Sequence, residues 1–202
     1  CLALYALLAD KGFIREDELE TFCKSDSRLG GHPERNKIPG VEASTGALGH
    51  GLSMGVGIAI ACKIQKKNYR VVVITGDGEI NEGSVWEAAM SAAKHQLSNL
   101  TVMIDYNKLQ SYGTTREVLD LEPLADKWSS FGFEVEEVDG HDTDALEQLT
   151  GRLPLNDTKP TAIICHTIKG KGISSAENNA EWHHKSGLKP EEIAKMYACL
   201  TS

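Results

Sequence analysis

The amino-acid sequence predicts an α/β fold in which a parallel sheet is flanked by helices. Short runs rich in β-branched and apolar residues occur at 70–75, 100–105, 133–138 and 161–166, and longer helix-like segments separate them. Buried strands of this kind, joined by helices of about ten or more residues, are typical of βαβ units in a sheet covered on both faces. A chain of 202 residues with 41% hydrophobic residues is long enough to form one domain with its own core.

The helices are predicted from apolar runs and their spacing. An apolar segment at 1–9 is followed by an amphipathic segment at 15–24, and then by a long loop crowded with glycine, proline and small polar residues. A helix of small residues is predicted next. The remaining helices lie between the strands and at the end of the chain, so that the full set after the loop is 53–67, 84–96, 122–131, 142–151 and a helix opening at Pro190.

Composition and charge exclude several classes of function. The formal net charge of −8 argues against nucleic acid or an anionic membrane as the main partner. The longest apolar stretch, at 47–62, is interrupted by His50 and by glycines, so no membrane span is predicted, and no signal peptide is visible. Five cysteines lie far apart without any C-x-x-C pair, which predicts reduced, buried thiols in a cytoplasmic protein.

A glycine-rich turn follows the strand at 70–75 and carries acidic residues where phosphate-binding turns usually carry a cation. The turn is Gly76-Asp77-Gly78, and Asn107 follows the next strand along the chain. Because parallel strands end at one edge of a sheet, where ligands bind, we expect Asp77 and Asn107 on neighbouring strand ends. Their oxygens suit Mg²⁺ or Ca²⁺, and Mg²⁺ often binds through carboxylates and phosphate oxygens together. The alternative interpretation is a turn residue and an Asx motif without a ligand.

Four motifs, in order along the chain, resemble transketolase. "GDGEINEG" with "DYNKLQ" is similar to the thiamine-diphosphate signature, and "GGHPERNKIPG" and "STGALGHG" resemble two neighbouring transketolase stretches. "TIKGKGISSAENNAEWHH" resembles a later loop that ends in a functional histidine. The resemblance implies the thiamine-diphosphate-binding fold, with residues 1–202 as a single diphosphate-binding domain.

The resemblance also implies that another chain supplies part of the enzyme. The family's pyrimidine-binding and C-terminal domains have no counterpart in it, nor does an N-terminal segment that supplies two further active-site histidines. We therefore expect one half of a split transketolase. Its partner subunit would carry the pyrimidine-binding and C-terminal domains, the assembly would be a heterotetramer, and the chain alone would be inactive.

Roles carried over from the family place a metal and a cofactor at the strand ends. Asp77, Asn107 and the carbonyl of Leu109 are implied ligands of Mg²⁺ (or Ca²⁺), which would bridge the diphosphate of thiamine diphosphate. Gly78 is implied to let the backbone approach that diphosphate. Gly46-Ala47-Leu48 is implied to lie along the cofactor, where small residues leave room for it.

One carboxylate and two histidines are the implied catalytic residues. Glu82 matches a carboxylate at the family's subunit contact, linked to the partner's cofactor-activating glutamate; a solvated carboxylate at a helix start is the alternative. His32 matches a histidine of the substrate channel. His183 matches the histidine near the cofactor's reaction centre, where an imidazole suits proton transfer near neutral pH. His184 is adjacent, so a shift of one residue remains an alternative.

Other polar residues near the strand ends have open roles. His141, in "VDGHD", is either a pocket residue or part of a turn that caps a helix. Tyr106 stands where the family often has the first of two asparagines. Zinc held by Cys165-His166 and His183-His184 is disfavoured, because adjacent ligands have poor spacing.

The activity implied by the resemblance is ketol transfer, in which a two-carbon unit passes from a ketose phosphate donor to an aldose acceptor. Deoxyxylulose-phosphate synthases share GDG and a similar "TxKGKG" motif, and the E1 subunits of 2-oxoacid dehydrogenases share GDG and the asparagine, so both are alternatives. A dinucleotide-binding oxidoreductase is a weaker one, suggested by G-x-G-x-x-x-G in "GHGLSMG". The last alternative is a non-catalytic paralogue that keeps the fold.

Overall fold

The N-terminal unit, Cys1–Leu48, has a small core of its own. The computed structural model describes residues 1–185 and 187–200 of the chain. Helix α1 (Leu2–Asp10) buries Tyr5 and Leu8 in a cluster completed by Ile14, Leu29, Ile38 and Val41. The Tyr5 hydroxyl donates a hydrogen bond of 2.7 Å to the carbonyl of Gly30 and so holds the long loop against this core.

Residues 15–24 do not form the predicted amphipathic α-helix. A 3₁₀ helix covers only Glu16–Thr21, and Cys23 just beyond it adopts a left-handed backbone conformation (φ 56°). The physical reason is the small apolar surface of this segment. Only Leu19 and Phe22 contact the cluster around Tyr5, which is too little burial to stabilise three turns of α-helix.

From Gly49 onward, the sheet unit contains a four-stranded parallel sheet in the order β1-β2-β6-β5. The strands span β1 (Val71–Gly76), β2 (Leu100–Tyr106), β5 (Glu134–Asp139) and β6 (Thr161–His166). Between them, β3 (Leu109–Gln110) and β4 (Gly113–Thr114) form a short antiparallel pair that the sequence did not predict. The predicted α/β class and all four predicted strands are confirmed, each strand to within one residue.

The described residues from Gly49 onward include six α-helices. Their bounds are α2 (Gly51–Ile64), α3 (Gly83–Lys94), α4 (Thr115–Leu119), α5 (Leu124–Ser130), α6 (Thr143–Gly151) and α7 (Pro190–Leu200). Only the five-residue α4 is unpredicted, together with 3₁₀ helices at Gly78–Asn81 and Ala180–Trp182. Helix α4 is explained by a capping box, in which the Thr114 hydroxyl and the Glu117 carboxylate each accept the other's backbone N–H.

The main core lies on one face of the sheet. Residues of α2, α3 and α5, including the fully buried Trp128, pack there against the inward side chains of the strands. On the opposite face, Leu149 of α6 covers β6 through Ile163 and Cys165. Over β1 that face is open, with Val72 and Ile74 50% and 73% exposed. Among the described residues, cover on both faces is therefore confined to the β6–β5 side.

Only two of the five cysteines are buried. Cys62 and Cys165 lie in the interior, and burial raises the pKa of the Cys165 thiol to about 11. Cys1 and Cys23 are exposed and Cys199 is half-buried, so the prediction of five buried thiols is wrong for these three. No helix in the described ranges combines the length and apolar character needed to cross a membrane.

Helix α2 uses its two central glycines differently. A Cβ atom on Gly55 would collide with the side chain of Val73 in β1, so this glycine lets the helix lie close against the sheet. A Cβ atom on Gly57 would meet no atom within 4 Å. Internal packing therefore explains the glycine at position 55 and not the one at position 57.

We predict that alanine has opposite effects at the two positions. Gly55→Ala should lower the free energy of unfolding by about 1–3 kcal/mol because the added methyl overpacks the helix–sheet contact. Gly57→Ala should raise it by about 0.5–1 kcal/mol because alanine stabilises an exposed helix interior. Urea unfolding measures both changes, and equal losses would contradict the assignment of Gly55 as the contact glycine.

Candidate functional site

The four parallel strands end in register at one edge of the sheet. Gly76, the last residue of β1, pairs with Asp105, while β2 and β5 both end opposite His166. The residues that directly follow the four strands are Asp77, Asn107, Gly140 and Thr167. The expectation that Asp77 and Asn107 follow neighbouring strands is thus confirmed.

Asp77 is a buried carboxylate, only 2% exposed. Its Oδ1 accepts the N–H of Gly78 at 2.7 Å and its Oδ2 accepts the N–H of Lys108 at 2.5 Å. Burial raises the pKa of Asp77, although these hydrogen bonds and the charge of Lys169 oppose that change. No ion pair to Asp77 occurs within residues 1–185 and 187–200. A buried carboxylate held by neutral donors is unfavourable without a nearby cation.

The loop after β2 brings Asn107 beside this carboxylate. The Asn107 Oδ1 accepts the N–H of Leu109 at 3.1 Å, which is an Asx turn, and Lys108 between them is left-handed at φ 66°. Asp77 likewise begins the 3₁₀ helix Gly78–Asn81. The turn and Asx interpretation therefore describes the local hydrogen bonds. It does not exhaust the acceptor capacity of the two side chains, because carboxylate and amide oxygens each offer further lone pairs.

Tyr106, which stands where the family often has an asparagine, belongs to the core. It is 4% exposed, and its hydroxyl donates to Oε1 of Glu122 at 2.6 Å. Burial, together with this carboxylate, raises the pKa of the Tyr106 hydroxyl far above its ordinary value. Tyr106 therefore braces the end of β2 and leaves Asn107 as the polar residue of the pair that faces the edge.

A cavity of about 470 Å³ opens at this edge of the sheet unit. Its walls come from the ends of β2 and β6, from β4 and from the loop after β6. The lining residues are Tyr106, Asn107, Lys108, Leu109, Thr114, His166, Thr167 and Asn178. Backbone and side-chain polar groups converge here on a space within the usual range of ligand pockets.

The second carboxylate of the GDGE turn has a structural role that the sequence did not reveal. Glu79 Oε1 accepts the N–H of Gly49 at 2.9 Å, and the Ser84 hydroxyl donates to the Gly49 carbonyl at 2.8 Å. Gly49 is buried with φ 80°, and a Cβ atom there would stand 2.5 Å from Cβ of Glu82. Glu79 and Ser84 thus clamp the peptide that directly follows the glycine-rich stretch at 46–48.

Glu82 is the third carboxylate of this stretch, and it is exposed. It occupies the N-cap position of α3, but its side chain accepts no capping hydrogen bond. Its carboxylate forms no ion pair among the described residues. The carboxyl group is therefore accessible, while the start of its side chain packs against Gly49.

In the N-terminal unit, the structure brings together two residues that the sequence marks separately. Thr45 donates its N–H to the carbonyl of Pro33 at 3.1 Å, so the two segments of the loop run side by side. Gly46 has φ 120°, and a Cβ atom there would lie 2.8 Å from Cγ of His32. The His32 ring therefore covers the first residue of Gly46-Ala47-Leu48.

The two adjacent histidines of the last loop have different surroundings. The Nδ1 atom of His183 is buried and has no hydrogen-bond partner among the described residues. Burial, with the charges of Lys169 and His184, lowers the pKa of His183. The His184 ring lies at 78° to it, and its Nε2 is 3.2 Å from the Ser111 hydroxyl. The His183 ring is therefore partly desolvated, whereas the His184 ring is exposed.

Lys169 is a further site residue to which the sequence assigned no role. Its ammonium charge lowers the pKa of both Asp77 and His183. It lies three residues beyond the strand at 161–166, in "TIKGKG", and this position was the available signal. A cation at this point favours anionic ligands over neutral ones.

The class of the sheet unit follows from its fold and this edge: it is a parallel α/β unit that offers oxygen ligands at neighbouring strand ends. Residues 1–201 match the family described as "Transketolase, thiamine diphosphate binding domain". The chain belongs to this transketolase family. The dinucleotide-binding alternative lacks support, because strand β1 follows the "GHGLSMG" motif instead of preceding it.

Individual relatives agree with the family. An apulose-4-phosphate transketolase subunit from Actinobacillus succinogenes is 49% identical over 181 residues, which cover 90% of this chain and 65% of the relative. A 6-deoxy-6-sulfo-D-fructose transketolase subunit of a Clostridium species is 40% identical over 182 residues, covering 90% and 66%. The transketolase structure from Campylobacter jejuni superposes with a TM-score of 0.84 at 29% identity, covering 92% of this chain and 30% of that one. The chain thus spans just under two thirds of these two curated relatives.

We predict that the clamp on Gly49 is needed for stability. Glu79→Ala should lower the free energy of unfolding by about 1–3 kcal/mol, because it leaves a buried N–H without an acceptor. Glu79→Gln keeps an acceptor and should lose less. Glu87→Ala, at an exposed position of α3, is the matched control and should change stability by about 0.5 kcal/mol or less. Equal effects of the two alanine variants in urea unfolding would show that the clamp contributes nothing.

Proposed function

We propose that this chain is the thiamine-diphosphate-binding subunit of a two-subunit transketolase, which passes a two-carbon ketol unit from a ketose phosphate to an aldose. The observation that carries the proposal is the buried Asp77 carboxylate beside Asn107 at the strand ends, in a chain of the transketolase family. Relatives named for apulose-4-phosphate and for a sulfo-sugar support a sugar or sugar-phosphate substrate.

The strand-end residues fit a divalent cation. Asp77 is a desolvated carboxylate that accepts hydrogen bonds only from neutral N–H groups, so a bound cation would balance a charge that burial disfavours. Asn107 adds an amide oxygen and Leu109 a carbonyl oxygen, and such hard ligands suit Mg²⁺ or Ca²⁺. These three residues would hold the ion against the diphosphate group. When bound, thiamine diphosphate supplies the electron sink for cleavage of the carbon–carbon bond.

The residues of this chain would bind, orient and exchange protons. Gly78 would let the backbone approach the diphosphate, since a Cβ there would already stand 3.0 Å from Gln110. His183 has a lowered pKa, so it is uncharged near neutral pH, and its imidazole would exchange a proton with a hydroxyl of the bound substrate. His32, with the stretch Gly46-Ala47-Leu48, keeps the substrate-channel and cofactor roles that its motif predicts.

A partner subunit completes this proposal. Two of the relatives are named as transketolase subunits, which supports a second chain with the pyrimidine-binding and C-terminal domains. The exposed carboxylate of Glu82 is available for the subunit contact that the family predicts. We propose a heterotetramer with two copies of each chain, in the cytoplasm, where thiols stay reduced.

We predict that Asp77 is essential for metal-dependent cofactor binding. Asp77→Asn keeps the size of the side chain but removes its charge, so the affinity for thiamine diphosphate at fixed Mg²⁺ should fall by about 100-fold or more. Calorimetry measures the affinity. Asp144→Asn, in the first turn of α6, removes an exposed carboxylate that the site does not use and should bind like the wild type. Equal affinities of wild type and Asp77→Asn would rule out this metal site.

We also predict that ketol transfer needs both subunits. The chain alone should show no activity, because the glutamate that activates the cofactor lies on the pyrimidine-binding domain in this family. Mixing with a partner chain that carries the pyrimidine-binding and C-terminal domains should give activity and a larger complex. A coupled enzyme assay and size-exclusion chromatography measure the two effects, and ketol transfer by the highly purified chain alone would overturn the two-subunit proposal.

We predict that His183 and His184 contribute differently to turnover in the same coupled assay, with His184→Ala as the control. His183→Ala should lower turnover by about 10²–10⁴-fold with little change in cofactor affinity, as expected for loss of a proton-transfer group. His184→Ala should do much less, because its Nε2 is already engaged with Ser111. The reverse result would move the catalytic role to His184.

A further inference from the structure

The turn after β5 is fastened to the exit of β6. Gly140 donates its N–H to the carbonyl of His166 at 2.8 Å, and the N–H of Ile168 is bound by Nε2 of His141 at 2.8 Å. The turn itself is held by Asp139, whose Oδ1 accepts the N–H of His141 at 2.8 Å. The side chain of His141, which follows β5, thus accepts a hydrogen bond from the backbone that follows β6.

The sequence left two interpretations of His141 open: a pocket residue, or part of a turn that caps a helix. The turn-and-cap interpretation is confirmed for its neighbour, since Asp142 accepts the N–H of Ala145 at 2.9 Å and caps α6. His141 itself is not a wall of the 470 Å³ cavity. Its ring nitrogen instead accepts the N–H of Ile168, so Nε2 must be unprotonated and the ring proton must lie on Nδ1.

Thr167, the residue that follows β6, is also bound by residues of β2. Thr167 donates its N–H to the carbonyl of Tyr106 at 3.2 Å, and its hydroxyl donates to Oδ1 of Asp105. The side chain of Thr167 also packs on Gly140, where a Cβ atom would stand 2.5 Å from its methyl carbon. Thr167 is therefore fixed by β2, whereas Ile168, one residue further along, is fixed through His141.

The segment that starts at Ile168 carries Lys169 to the site. The carbonyl of Lys169 accepts the N–H of Asn178 at 2.9 Å, and Gly170 packs directly against Ala176. The hydrogen bond between Lys169 and Asn178 thus closes the loop that joins them. Lys169 directly follows Ile168, so the place of its side chain depends on how the chain leaves β6. The charge of that side chain lowers the pKa of Asp77 and of His183.

We propose that His141 is a positioning residue: by accepting the N–H of Ile168, it fixes the exit of β6 and with it the place of Lys169 relative to Asp77 and His183. The contribution to cofactor binding rests on the proposed function, while the positioning of Lys169 does not. The side chain is exposed, so its main effect is on the geometry of this edge and not on the stability of the core.

Two amide substitutions distinguish the effect of the His141–Ile168 hydrogen bond from the effect of a polar side chain at position 141. In glutamine, Oε1 lies as many bonds from Cβ as Nε2 does in histidine, so His141→Gln can still accept the N–H of Ile168. In asparagine, the oxygen is one bond short, so His141→Asn keeps a polar side chain but loses the contact. His95→Asn is the matched control. It changes an exposed histidine at the end of α3, which precedes β2 and lies away from the carboxyl edge of the sheet.

The first two measurements need no cofactor. Amide hydrogen exchange at Ile168 should accelerate by about tenfold or more in His141→Asn and stay near the wild-type rate in His141→Gln and His95→Asn. Nuclear magnetic resonance of the imidazole groups should show the pKa of His183 rising toward its ordinary range in His141→Asn alone, because the charge of Lys169 is no longer held near it. Thermal unfolding should stay close to that of the wild type in all three variants.

The third measurement is the affinity for thiamine diphosphate at fixed Mg²⁺. It should fall by about tenfold in His141→Asn and recover in His141→Gln, since loss of a positioning partner typically costs that much or more at metal sites. If the wild type does not bind the cofactor, the proposed function fails, while hydrogen exchange and the His183 titration still judge the role of His141.

Two results would overturn the proposal. Unchanged exchange at Ile168 in His141→Asn would show that the hydrogen bond does not hold the exit of β6. Faster exchange at Ile168 with an unaltered His183 titration would show that the bond exists but does not set the place of Lys169.

Discussion

A buried carboxylate at the end of the first parallel strand is the constraint on which the site depends. Asp77 is 2% exposed, and its two oxygens bind the backbone of Gly78 and of Lys108, on either side of the edge between β1 and β2. Those bonds fix the loop that carries Asn107. Because neutral donors only partly offset the cost of burying a charge, the arrangement favours a bound cation. One side chain thus both shapes the edge and carries the proposed metal site.

The three carboxylates of "GDGEINEG" do different work because their surroundings differ. Asp77 is desolvated beside the strand ends, Glu79 holds the peptide of Gly49, and Glu82 is exposed at the start of α3. A phosphate-binding turn without a lysine is understandable in these terms, since a divalent cation can neutralise the diphosphate. Lys169, which follows the inner strand β6, adds a positive charge that lowers the pKa of Asp77.

Packing of small residues on α2 explains how this edge is supported. Gly55 allows the helix to lie against Val73 in β1, while the strands of the sheet keep their ends in register. Val72 and Ile74 on the opposite face of β1 are exposed, and so is Gly57 on α2. The strand that leads to Asp77 is therefore supported from one face, by α2 and the main core.

The sequence by itself determined the strands, the order of their connections and the pairing of Asp77 with Asn107, because periodicity and the common direction of parallel strands require no knowledge of distant contacts. Its motifs also identified the transketolase family. Only the tertiary structure decided that Glu79 reaches Gly49, that the His183 ring is more buried than that of His184, and that His141 binds Ile168. These contacts join residues up to 30 positions apart in different loops. Which loop lies beside which is set by core packing, and no local pattern encodes it.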